Sequence, residues 1–137
     1  MATPLAALAL FLALGFAGCA HVADEPIEKR LIGAWAQSGV VFGERKESVL
    51  TFFPDRTFIE EGRTIARTHA VTHTPLRGQW QVLGDKVRLE YASGFTGTGA
   101  AETEERQVAS LTSHEFASTD TRFGIMVVRQ RVAQATR

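Results

Sequence analysis

The chain is poor in the features that most often announce a function. Its 137 residues include one cysteine, Cys19, so no internal disulfide can staple the fold. Charge of one sign is missing as well. Fifteen Lys and Arg against fifteen Asp and Glu sum to zero, and the Arg residues are interleaved with Glu and Asp, which excludes a basic field for nucleic acid. The longest apolar run, Leu5 to Ala17, is broken only by Gly15 and falls short of the roughly 20 residues that span a bilayer as a helix. No segment carries a convincing helical period and no internal repeat stands out. No nucleophile sits beside a base, no carboxylate pair carries a catalytic motif, and no Cys/His cluster has metal-ligand spacing. The expectation is a non-catalytic protein without cofactor or metal.

What is present begins with an export signal. An apolar run of this length followed by small residues matches a secretory leader, although Met1-Ala2-Thr3-Pro4 has no Lys or Arg. Phe16-Ala17-Gly18-Cys19 then resembles the bacterial lipobox, with Phe16 where Leu is usual. That resemblance implies cleavage before Cys19, a diacylglycerol thioether on its sulfur and acylation, as by palmitate, of its new amino group. At about 0.8 kcal/mol per buried methylene, two or more chains make a durable anchor. The alternative is a small buried hydrophobe or an unpaired thiol, which is a liability in an oxidising compartment. Ala20 follows the cysteine where Asp would signal inner-membrane retention, so the expected place is the outer membrane, facing the periplasm. The resulting division is a signal peptide at 1–18, a lipidated N-terminus and tether at 19–29, and one domain at 30–137.

Beyond the tether, short segments rich in Val, Ile, Phe, Tyr and Thr alternate with Gly, Pro and Asp turns, the pattern of an all-β chain. Strands are expected near Gly33–Ser38, Ser48–Phe53, Thr57–Glu61, Ala66–Thr72, Gly78–Leu83, Lys86–Tyr91, Glu104–Leu111, Glu115–Ser118 and Phe123–Val132, with a turn or short helix over Glu28 to Ile32. Pro54-Asp55-Arg56, Gly84-Asp85 and Thr112-Ser113-His114 are short links, so successive strands should be antiparallel neighbours in meander order. Trp80 and Val82 share one face, as do Val87, Leu89 and Tyr91, while Gln79, Gln81, Lys86, Arg88 and Glu90 take the other. One face therefore looks to a core.

Four blocks in order, Leu31-Ile32-Gly33-Ala34-Trp35, Leu50 to Phe58, Gly78 to Val87 and Leu111 to Phe116, resemble the successive blocks of small bacterial lipocalin-like domains. Where that family often has Asp-Gly in the first hairpin, this chain has Asp55-Arg56. The resemblance implies an antiparallel up-and-down β-barrel of about eight strands, with Gly33 and Trp35 as structural residues at one end. It also implies an interior of Trp35, Phe52, Phe58, Trp80, Leu89 and Phe116, the candidate lining for a small hydrophobic or amphipathic ligand. Barrels of this size can instead be filled by their own side chains.

In a closed barrel with an even number of strands the end of the last lies beside the start of the first, so Arg129 or Arg131 arrives near Trp35. Arg129 is the expected lid, stacked on the indole and sharing parity with Phe123, Ile125 and Val127. The opposite parity would turn Arg129 to solvent and put Met126, Val128 and Val132 inside. His69 and His73 would share a strand face roughly 13 Å apart at about 3.3 Å per residue, too far for one metal ion. Glu60-Glu61 and Glu102-Thr103-Glu104-Glu105 read as solvated strand edges. Ser93 to Ala101 is a Gly-rich loop, and Tyr91-Ala92-Ser93-Gly94-Phe95 resembles the Ser-Gly loop of lipoprotein lysozyme inhibitors, with Gly97 where Tyr is expected and no disulfide. The alternative function is thus an envelope protein-interaction or inhibitor module that uses its loops around a filled barrel. The anchor is directly testable: Cys19→Ser should abolish labelling by radioactive palmitate and release the protein from membranes, and undiminished labelling would refute lipidation at Cys19.

Overall fold

The computed structural model describes residues 25–92 and 102–133. Cys19, the start of the tether and the loop at 93–101 lie outside them. A short helix, α1 (Ile27–Leu31), precedes nine strands: β1 (Gly33–Val41), β2 (Glu44–Phe52), β3 (Thr57–Ile65), β4 (Ala70–Thr72), β5 (Leu76–Leu83), β6 (Lys86–Tyr91), β7 (Glu102–Leu111), β8 (Glu115–Asp120) and β9 (Met126–Arg131). Eight of them close an all-antiparallel β-barrel in sequence order, with β2 pairing β3 and β9 returning to β1. β4 is the extra strand.

β4 and β5 share one edge of β3, since β2 occupies the other edge along its whole length. The register slips by one residue between Arg63↔Thr72 and Glu60↔Leu76. Pro75 lies in that gap and has no N–H for the ladder, while His73 N still donates to Gly62 O at 2.8 Å. The strand expected at Ala66–Thr72 is accordingly reduced to three residues, because Ala66 N donates to His69 O and turns the chain there. The strand expected at Phe123–Val132 is also shorter. Asp120 Oδ1 accepts from the Arg122 and Phe123 amides, both at 2.8 Å, so the turn absorbs Phe123 to Ile125.

The hairpins fall where the short links stand. In the first, Asp55 Oδ1 accepts from Thr57 N and Oγ1, and Arg56 takes a left-handed φ of 71°. Its guanidinium lies 4.7 Å from the centroid of Trp80, a contact that offsets part of the strain of that φ.

The core sits in the half of the barrel nearest α1. Trp35, Phe52, Phe58, Trp80, Leu89 and Phe116 are all buried there with Leu31 and Leu50. Edge-to-face contacts join Trp35 to Phe116 at 5.7 Å, Phe52 to Trp80 at 5.2 Å and Phe52 to Phe116 at 6.3 Å. Helix α1 begins inside the stretch expected as tether and buries Leu31 in the barrel end, with Ile27 partly buried beside it. Trp35 Nε1 donates to Leu31 O at 2.7 Å.

The lid on Trp35 is Arg131, not Arg129. Its guanidinium carbon stands 4.2 Å from the ring centroid, and its N–H groups donate to Arg30 O at 2.6 Å, Ile32 O at 3.0 Å and Ser113 O at 2.9 Å. The expected parity is right, since Val127, Arg129 and Arg131 point inward and Met126 and Val128 are exposed. The register decides between the two arginines. Closure sets Trp35 opposite Arg131 and leaves Arg129 two residues deeper toward the other end of the barrel. Gly33, at φ 127°, lies under the same guanidinium: a Cβ there would stand 2.7 Å from Arg131 Nη1.

Arg131→Ala should cost about 3 kcal/mol in urea unfolding followed by Trp fluorescence, and Lys should recover less than half because an ammonium cannot span three carbonyls in a fixed fork. A loss under about 1 kcal/mol would show that closure does not depend on this residue. Gly33→Ala should lose about 2 kcal/mol for its strained φ and the collision with Arg131; unchanged stability would refute that account.

Candidate functional site

The other half of the barrel is open. Its inward positions come from the same alternation that builds the core, but they carry polar side chains: Gln37 on β1, Glu60 on β3, Tyr91 on β6, Glu104 and Arg106 on β7, Arg129 on β9. They surround a cavity of about 730 Å³, and Val127, Ile125 and Phe123 add an apolar wall that rises to its mouth.

Tyr91 marks the boundary between the halves. Its ring packs edge-on against Phe58 at 5.2 Å, and its hydroxyl donates to Glu104 Oε2 at 2.8 Å. The other oxygen of Glu104 pairs with Arg106 Nη2. Across the cavity Arg129 Nη2 stands 3.5 Å from Glu60 Oε1, a stretched ion pair. Two carboxylates and two guanidiniums thus share one interior. Burial, and then the charges of Glu104 and Glu60, push the Tyr91 hydroxyl far above its ordinary value of 10, so it remains a neutral donor. Burial also lowers Arg129, as does the nearby Arg106, with Glu60 and Glu104 opposing. For Asp120 at the rim, burial acts upward but is outweighed by the backbone N–H groups of Phe123 and Arg122, and its carboxyl is lowered.

These pairs do not use all the donors. Nε and Nη1 of Arg106 and of Arg129 are buried and meet no acceptor among the described residues, although Arg129 is only 2% exposed. A buried donor left open costs about 1–3 kcal/mol, and more when it is charged. The arrangement can accept an oxygen-rich group between two guanidiniums.

A second cavity, of about 660 Å³, opens through the barrel wall and shares Gln37, Glu60 and Val127 with the first. It exists because closure is short: β1 and β9 pair only at Trp35↔Arg131 and Ala36↔Gln130. Past those pairs Ser38, Gly39 and Val41 line one side of the opening and Met126 and Val128 the other.

None of the six expected lining residues, Trp35, Phe52, Phe58, Trp80, Leu89 and Phe116, borders either cavity; they pack against one another as core. Arg129 is buried in the barrel but belongs to the polar cavity. Glu60 and Glu104 were expected at solvated edges. They lie inside, while Glu61 is exposed and Glu105 faces outward to Arg88 at 2.6 Å, which holds the Glu105 carboxyl below its usual value. The signal was parity: Glu104, Arg106 and Val108 alternate in phase on β7, as Tyr91 does with Val87 and Leu89 on β6. His69 and His73 flank β4, hydrogen-bonded to Thr68 and Thr64 respectively. Among the described residues no three His, Cys, Asp or Glu side chains group to hold a metal ion. Compared with known proteins, the chain matches no family model, no curated protein and no solved structure.

Proposed function

We propose that this chain is a lipid-anchored bacterial envelope protein whose lipocalin-like barrel holds a small amphipathic molecule without acting on it chemically. The observation that carries the reading is the cavity of about 730 Å³, within the roughly 300–1,000 Å³ of ordinary ligand sites. It joins a polar floor to an apolar wall, as a molecule with a head and a tail requires. The lipocalin-like assignment rests on the four sequence blocks, which coincide with β1 and the β2–β3, β5–β6 and β7–β8 hairpins. Anchorage through Cys19, facing the periplasm from the outer membrane, rests on the lipobox.

A second reading, a module that presents loops to a protein partner, is favoured by one feature. Phe42 at the tip of the β1–β2 hairpin is fully exposed at a φ of 52°, and a bulky residue held in that region is strained. Val40 beside it is 73% exposed.

The two readings separate on the full chain purified from its own envelope. Native mass spectrometry and solvent extraction should release one small amphipathic molecule, and an apolar dye should compete for its place. An empty barrel that takes up no dye would overturn the carrier reading and leave the loops as the place to look.

A further inference from the structure

We infer that Arg106 and Arg129 form the head-group site for a carboxylate on a linear apolar tail. The inference rests on the carrier reading and gives the ligand its class. Arg129 is buried to 2% exposure and lines the cavity, and Arg106 reaches the same space from β7 with its side chain 13% exposed. Each keeps Nε and Nη1 without an acceptor among the described residues. The donors therefore come from β7 and β9, the two neighbours of β8, and converge on one interior, where a group rich in acceptors fits and a donor such as an ammonium does not.

Charge selects among the acceptors. Glu60 and Glu104 already balance the two guanidiniums, so the open N–H groups call for hydrogen-bond acceptors with little added charge. A carboxylate supplies two oxygens, about four lone-pair sites, and one negative charge. A phosphate monoester brings about −1.5 to −2 beside the same two glutamates. The tail follows the apolar lining: Val127, Ile125 and Phe123 form the wall between the arginines and the mouth, so the carboxylate lies deep and the chain points to the rim.

The test measures binding of dodecanoate, dodecanol and dodecyl phosphate to the purified full chain by calorimetry. Dodecanoate should bind about tenfold or more tighter than dodecanol, as expected for charge-assisted hydrogen bonds, and tighter than dodecyl phosphate. Arg129→Met should erase the preference for dodecanoate over dodecanol, and an unchanged far-UV circular dichroism spectrum reports that the barrel is intact. Should that variant not fold, the carboxyl carbon resonance of labelled dodecanoate bound to the wild-type protein decides the matter, because a carboxylate held by two guanidiniums stays ionised to lower pH than in water. Equal binding of acid and alcohol, or a carboxyl that titrates as in bulk water, would overturn the head-group site and leave the carrier reading standing. A preference for dodecyl phosphate would overturn the carboxylate assignment. If none of the three binds, both the site and the carrier reading fall.

Discussion

The barrel depends on the Arg131 guanidinium seated on Trp35. β1 and β9 share only two residue pairs, too little ladder to hold an eight-stranded sheet shut by backbone hydrogen bonds alone. One side chain makes up the deficit. It covers the indole, donates to the free carbonyls that a helix leaves at its C-terminal end, and reaches across to the β7–β8 turn at Ser113. Helix, first strand, last strand and a distant hairpin are thereby held at one point. Gly33 follows from this, because the chain must pass beneath the guanidinium where a Cβ has no room.

With that end sealed, the interior divides into unlike halves. Interlocked aromatic rings fill the part near α1, and Arg56 covers Trp80 much as Arg131 covers Trp35. The far part holds two Glu, two Arg and a Tyr in a space they do not fill. Buried ion pairs rarely add net stability against apolar side chains of the same volume, so the aromatic half has to hold the fold while the polar half costs it. A barrel of eight strands can be packed solid or leave an interior space, and this one is packed near α1 and open in its other half.

Much of this was legible in the sequence, and all but one of the failures share a cause. Alternation predicted the strands, the meander order and which residues turn inward, down to the inward parity of Arg129 and Arg131. Alternation has no memory of depth, however. Residues two apart on a strand look alike by parity, yet they are about 6.6 Å apart along the barrel at about 3.3 Å per residue, enough to separate a lid over Trp35 from a wall of the polar cavity. Depth is set by the register of closure, which depends on how β8 turns into β9 through Asp120 and Gly124. The same blindness sent Glu60 and Glu104 to the solvent, since a charged residue in phase with Phe58 on β3 or Val108 on β7 reads as surface until the barrel is known to be open at that level. The Ala66–Thr72 strand failed for a different reason. Its composition suits a strand, but the Ala66–His69 turn and Pro75 leave only three residues free to pair.

Tyr91 shows how the two halves constrain each other. Its ring belongs to the aromatic stack through Phe58, so the hydroxyl cannot move without disturbing the core. Its position fixes Glu104, and Glu104 in turn fixes Arg106. Because the hydroxyl stays protonated, the link adds no charge, and the electrostatics of the cavity are left to Glu60, Glu104, Arg106 and Arg129. The donors that remain open on Arg106 are therefore held in place by the protein itself. An acceptor that filled this interior would meet donors already placed, and would relieve the desolvation of the guanidiniums at a reduced ordering cost. Occupancy and stability would then be linked, so that whatever bound the polar half would also stabilise the closed barrel.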